Sequence, residues 1–180
     1  MLELQITKRT DRRLLELMGA HYSQPKGFVG RNICYSITYD DIFYGYIVGG
    51  SATRFLPGRR DFFGEFSLNC IVNNIFYHVE KVNSTYPTRN FTSKILSSWR
   101  TLVINDWREK YDDIVTGFES LVELPRTGEL YKKDGWTLVG QTIGYTCKRV
   151  AGKGTDNWSG KRVWNTKNLR PKLVFCRRVD

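Results

Sequence analysis

Three side-chain types in this chain could move protons at one centre: a phenol, a carboxylate and an imidazole. Tyr131 lies in the stretch GELYKKDGWTLVG, where Gly135 suits a left-handed helix end. The alternation of Trp136 and Leu138 after it suits a half-buried strand. Glu119, followed by Ser120, falls at the expected end of another strand, and His21-Tyr22 follow the first helix. A carboxylate or imidazole can relieve an attacking amine of its proton, and a phenol can return one to a leaving group. Each has a plainer reading: Glu119 as a surface carboxylate, Tyr131 as a core tyrosine, His21 and Tyr22 as helix-end packing. One histidine and one tyrosine do not make a metal site, and His78 reads as structural.

The hydrophobic periodicity says what must position these groups. A strand is expected over residues 2–6, then a helix over 12–20 capped by Thr10 or Asp11, with Leu14, Leu15 and Met18 on one face. Residues 32–39 and 43–52 read as a hairpin turning at Asp40-Asp41, with Gly45, Gly49 and Gly50 marking a bulge or a close approach. Residues 65–72 read as a strand, and the polar stretch from there to Pro87 as loop. Phe91, Ile95, Leu96, Trp99, Leu102, Val103, Trp107 and Tyr111 form one stripe of a long helix. A strand over 112–119, a short helix over 128–134 and one or two strands over 136–149 follow. Val163-Trp164 and residues 172–175 read as a last hairpin. The order implies an α/β chain with a mixed sheet, at a length where one domain spanning 1–180 is the default.

Hydrophobic content of 41% excludes disorder, and no apolar run is long enough to span a bilayer. The N-terminus lacks the apolar core of a signal peptide, and the four widely spaced cysteines imply neither a zinc site nor a disulfide framework. A reducing cytoplasm is the expected location. The net charge of +10 is uneven. Between Cys147 and Asp180 there are ten basic and two acidic residues, so this extension carries +8. Such a field attracts a polyanion; a solubilising surface or a set of cofactor-phosphate contacts are the alternatives. Lys153, Lys161, Arg162, Lys167, Arg177 and Arg178 are the expected phosphate contacts, with Trp158 and Trp164 interleaved among the cations. A second anion site is expected at the start of the long helix, where Asn90 could cap, Thr92 and Ser93 offer hydroxyls, and Arg89 and Lys94 flank.

The Tyr131-x-x-x-Gly135-Trp136 pattern, with Val139-Gly140 after it, resembles the last helix and following strand of GNAT-superfamily acyltransferases. That resemblance implies a mixed central sheet flanked by helices, acetyl-CoA as acyl donor, and Tyr131 as the acid for the departing thiolate. The cradle at 87–97 departs from the glycine-rich loop usual there. The run Asn90-Phe91-Thr92-Ser93-Lys94-Ile95-Leu96-Ser97 is similar to the Asn-x-x-Ser-basic-x-Leu-Ser pattern of the phage Mom DNA-modification proteins, divergent GNAT members. His21-Tyr22, Glu119-Ser120, Gly128-x-x-Tyr131, Gly135-Trp136 and Arg170-Pro171-Lys172 extend it over most of the chain.

This second resemblance implies modification of the exocyclic amine of adenine in double-stranded DNA by an acyl-derived, acetamido-type group that evades host restriction. It makes Glu119 the candidate base, His21 and Tyr22 accessory groups, and iron a possible metal. Glu119 stands where the family tends to carry aspartate, and Asn69 where it tends to carry arginine. A flipped base would stack on aromatics such as Tyr22, Phe28 or Trp158. The alternatives are an N-acetyltransferase with a protein or small-molecule acceptor, an acyl donor such as charged transfer RNA, and a non-catalytic basic DNA-binding protein.

Overall fold

Asp11 opens the first helix, α1 (Arg12–Ala20), by accepting a hydrogen bond from the Leu14 amide at 3.0 Å. The Tyr46 hydroxyl donates to the same carboxylate oxygen at 2.7 Å, and this bond above all holds the Asp11 carboxyl below its usual range. Leu14 and Met18, four residues apart, are buried against Cys34, Val48 and Phe76. Leu15, expected on that face, is exposed.

The computed structural model describes residues 1–21, 27–150, 161–165, 167 and 169–179, and of these all side chains but those of 146–150, 161, 162 and 165. Tyr22, Lys153 and Trp158 lie outside the described residues. The strands are β1 (Leu2–Thr7), β2 (Asn32–Tyr39), β3 (Ile42–Ser51), β4 (Ile71–Val79), β5 (Gly117–Glu123), β6 (Thr137–Gln141), β7 (Thr146–Val150), β8 (Lys161–Asn165) and β9 (Lys172–Arg178). Seven of them form one mixed sheet in the order β1-β2-β3-β4-β5-β9-β6, while β7 and β8 pair as a separate ribbon. Three further helices are α2 (Arg59–Phe63), α3 (Phe91–Tyr111) and α4 (Glu129–Lys133). This is the α/β architecture expected from the sequence, and no helix among the described residues is long and apolar enough to cross a membrane.

The sheet is covered on both faces. α1 packs on one side; Phe91, Ile95, Leu96, Trp99, Val103 and Trp107 of α3, with Tyr131 of α4, pack on the other. Central strands buried on two faces lose strict alternation, and β3 is buried continuously from Tyr44 to Gly50. Leu102, counted in the helical stripe, instead faces outward.

Several boundaries differ from expectation for identifiable reasons. The stretch 71–79 is a strand and not a loop; Asn73-Asn74, next to the bulged Ile75, breaks the apolar alternation by which a strand is read. The strand expected over 112–119 starts later and runs to Glu123; Asp112 is instead the left-handed cap of α3, with φ at 57°. The last hairpin is not formed as expected. β8 pairs with β7, whereas β9 enters the main sheet between β5 and β6, so the basic extension is partly core.

Trp99 is fully buried against Phe118 across the sheet, and Gly49 leaves it room. Trp99→Ala is expected to lower unfolding free energy by about 3–5 kcal/mol in urea titration, with no change in the denaturation slope.

Candidate active site

The site begins at two glycines. A Cβ on Gly50 would collide with the Ile75 side chain at 2.5 Å, and one on Gly49 would crowd Val72 at 2.9 Å and Trp99 at 3.1 Å. Without side chains there, β4 can bulge: Val48 pairs with Phe76 and Gly49 with Asn74, leaving Ile75 as the extra residue. β4 and β5 then pair in parallel only over Ile71–Asn73 with Gly117–Glu119. Beyond that point each strand continues without the other, and a cavity of about 830 Å³ opens along the split. β4 contributes Asn73 to Tyr77 to its walls, β5 Ser120 to Glu123, α4 Tyr131, and the end of α1 His21.

Tyr131 is held on all sides. Its ring lies between Trp136 at 5.0 Å and Phe175 at 5.6 Å, centroid to centroid. Gly128 has φ at 71°, and a Cβ there would strike the Phe175 ring. Gly135 closes α4 at φ 78°, as expected, and the Trp136 amide returns to the Tyr131 carbonyl at 3.0 Å. Asp134 accepts from Arg100 of α3 and from the Trp136 indole, both at 2.8 Å, which anchors the turn.

The Tyr131 hydroxyl donates to Asn74 Oδ1 at 2.7 Å. Asn74 Nδ2 faces two carbonyls, Val48 O at 3.3 Å and Phe76 O at 3.4 Å, so its amide orientation is fixed by hydrogen-bond logic. Ser120 Oγ completes the cluster by donating to Asn74 O. Asn74 was not singled out from sequence; the polar pair Asn73-Asn74 inside an apolar run was the available clue.

His21 is buried in the cavity wall, with its ring 4.8 Å from Phe76 and 5.8 Å from His78. Burial above all, then the neighbouring His78 and Arg126, lowers its pKa from 6.5 to about 4, so the imidazole is neutral at physiological pH. Phe28 packs on Phe76 from the same side at 6.1 Å.

Glu119 stands apart from this cavity wall. It is fully buried in mid-strand, between Asn73 of β4 and Cys176 of β9, and not at a strand end. Its carboxylate accepts from Arg59 Nη1 at 2.8 Å and from the Thr53 amide at 2.6 Å. Arg59 reaches it from α2 and also donates to the Thr53 and Arg54 carbonyls. Burial pushes the Glu119 carboxyl up, and the bonds from Arg59 and Thr53 oppose that shift. Through Thr53, which lines the cavity and accepts from Asn73 Nδ2 at 3.1 Å, this pair braces the site from behind.

The remaining expected groups fall elsewhere. Arg89, Asn90, Thr92, Ser93 and Lys94 sit at the start of α3 outside the cavity lining, and Asn90 adopts φ 59° without a side-chain cap. Tyr77 links the two places, donating from the cavity wall to the Thr92 carbonyl at 2.7 Å. Arg177 donates to the Asp134 carbonyl, and Arg178 lies over Phe62 and donates to its carbonyl. Both are thereby tied to the β9 end of the sheet, Arg177 half-buried and Arg178 exposed. Lys161 and Arg162 lie on β8, with Lys167 beyond it. Among the described residues no group of three or more His, Cys, Asp or Glu side chains could hold a metal ion, so the iron reading finds no ligand set.

No protein-family model and no curated protein sequence matches this chain. Solved structures do. An acetyltransferase from Bacillus subtilis in complex with CoA is 12% identical, with a TM-score of 0.58 over 99% of each chain. A GNAT-family acetyltransferase from Elizabethkingia anophelis with acetyl-CoA bound is 10% identical, with a TM-score of 0.56 over 99% of this chain and 98% of that one. The aminoglycoside acetyltransferase AAC(6')-Ib, in complex with coenzyme A and kanamycin, is 12% identical, with a TM-score of 0.60 over 99% and 95%. The chain has the fold of the GNAT acetyltransferases.

Proposed function

We propose that the protein is an acyl-CoA-dependent N-acyltransferase whose acceptor is the exocyclic amine of a DNA base, adenine by resemblance to the Mom proteins. The observation that carries the transfer chemistry is the placement of Tyr131: a hydroxyl held by Asn74 in the cavity where β4 leaves β5. The β4 edge beyond Asn73 is open toward β5 and suits an extended amide-bearing arm. The start of α3, with Arg89 and Lys94 beside it, suits the phosphates of the same donor. In the reaction the amine nitrogen attacks the thioester carbonyl carbon and the C–S bond breaks. Tyr131 gives its proton to the departing thiolate, and neutral His21 takes the proton released by the nitrogen.

The cavity's charge supports the kind of amine. Its inner polar groups are uncharged: Thr53, Asn73, Asn74, Tyr77, Ser120 and Tyr131. Both lining carboxylates are already paired, Glu123 with Arg170 at 2.7 Å and Glu129 with Lys132 at 2.8 Å. An alkylammonium entering here would lose water without meeting a free carboxylate. An aryl amine arrives neutral, its lone pair shared with the ring, and so needs no carboxylate to offset an ammonium charge. Asn73 Oδ1, buried without a hydrogen-bond partner, would accept one of its N–H groups. The net charge of +10 draws a polyanionic carrier of such amines. A small-molecule or protein amine is the second reading, supported by the likeness to an enzyme that binds kanamycin.

Glu119 in this reading is a positioning residue. Glu119→Gln leaves the Arg59 charge without its partner and is expected to cost about 3 kcal/mol in urea titration, while the folded fraction keeps turnover within about tenfold. A variant of full stability with no turnover would restore Glu119 as the base.

Nucleosides digested from plasmid DNA co-expressed with the protein should contain a new, heavier deoxynucleoside by mass spectrometry, absent with Tyr131→Phe. An unchanged profile from well-folded protein would sink the DNA acceptor. Tyr131→Phe is expected to lower kcat by about 10²–10⁴ with little change in KM. Asn74→Leu should lower kcat at least about tenfold, and the double variant should be no slower than Tyr131→Phe alone. Additive losses would mean that Asn74 does not act through Tyr131.

His21 sets the acid limit. Its folded value of about 4 lies below its ordinary 6.5, so the neutral imidazole's contribution to stability is full above 6.5 and is lost as pH falls through about 4. The kcat/KM profile should stay flat down to about pH 5 and fall only as pH drops through about 4, the folded-state value, and His21→Gln should remove that limb.

A further inference from the structure

Among the described residues, β7 and β8 are the only named strands that stand outside the main sheet. Its two strands of five residues pair antiparallel, with Arg149 opposite Arg162, Lys148 opposite Val163 and Cys147 opposite Trp164. Adjacent residues of a strand point to opposite faces. Val163 is 48% exposed and its neighbour Trp164 57%, so at that point neither face of the ribbon is covered by the body. The strands carry Lys148, Arg149, Lys161 and Arg162, and no acidic residue.

The ribbon springs from the rim of the cavity. The Arg170 amide donates to the Gly144 carbonyl at 3.1 Å, and the Thr142 amide to the Lys172 carbonyl at 2.8 Å. Gly144, with φ at 87°, leaves the space that the Arg170-Pro171 backbone fills. Leu124 is tied to Pro171 at 3.2 Å, and Lys172 and Arg126 line the cavity itself. The basic sequence of the ribbon therefore begins beside two basic residues of the cavity lining.

We propose that this ribbon is the docking element for duplex DNA, lying in the major groove and presenting the neighbouring bases to the cavity. The inference rests on the nucleobase-acceptor reading above and adds where the duplex binds. A two-stranded ribbon has strands about 5 Å apart and, at five residues, a length of about 17 Å; a major groove about 12 Å wide admits one. Its cations would meet phosphates at the groove walls, and Trp164 offers an apolar surface to base edges. Arg177 and Arg178 take no part, because their guanidinium groups are engaged at the far end of β9.

Fluorescence anisotropy of the full chain with a labelled 20-base-pair duplex, between about 50 and 200 mM KCl, tests this. The paired change Arg149→Gln with Arg162→Gln should weaken binding at least about tenfold at 100 mM salt. It should also flatten the log-affinity against log-salt slope by about 1.8, two phosphate contacts at about 0.9 each. The thermal shift produced by acetyl-CoA should stay as in the wild type, which shows that the body is folded. Trp164→Ala, at an exposed position, is the second variant and should weaken binding about fivefold with the slope kept. Unchanged affinity and slope in both variants, with a wild type that binds duplex, would overturn the ribbon and leave the nucleobase reading standing. Equal ribbon dependence for a 20-nucleotide single strand would overturn groove docking. A wild type with no salt-dependent duplex binding would overturn the DNA acceptor itself, without touching the thioester chemistry.

Discussion

β4 and β5 keep company for three residue pairs and then part, and the rest of the site depends on that separation. A parallel pair that stayed in register to the ends of both strands would leave no cavity. The split follows from a local device: glycines at 49 and 50 leave room for the extra residue Ile75, and the bulge bends β4. Asn74 sits at the bend with its amide nitrogen on the two carbonyls that the bulge displaces. Its oxygen is thereby committed to Tyr131. One backbone irregularity opens the cavity and aims the phenol into it.

Two polar clusters support this irregularity from opposite sides. Behind the strands, Glu119 and Arg59 form a buried ion pair tied to Thr53. Such a pair repays its desolvation best when its other hydrogen bonds are supplied; the Thr53 and Arg54 carbonyls supply them to the two Nη atoms, while Arg59 Nε is buried without a partner. On the cavity side, Asp134 fastens the α4 turn to α3 through Arg100, so the Tyr131 ring is packed by a turn that is itself anchored. The cavity lining combines neutral polar groups with two paired carboxylates, Glu123 and Glu129, and two cations, Arg126 and Lys172.

The sequence by itself determined the periodic elements and the turn chemistry. The α1 stripe, the α3 stripe, the Asp40-Asp41 hairpin with φ at 47° and 61°, and the Gly135 helix end all follow from side-chain spacing and left-handed backbone preferences. Those are local properties, and local physics suffices for them. The turn that carries Tyr131 was legible for the same reason, since a glycine closes it before Trp136; the expectation of an acid there came from the GNAT resemblance.

Only the tertiary structure decided the rest, because pairing between distant strands has no local signature. Glu119 looks like a surface group until β9 lies beside it and Arg59, sixty residues away, reaches its carboxylate. The charge of 172–178 resembles a free basic tail until the β5 edge accepts it as a strand, which ties Arg177 and Arg178 to the Asp134 and Phe62 carbonyls. Asn74 gains its role only when α4 is folded against the bulge. Which cations remain outward is set by strand order and not by composition.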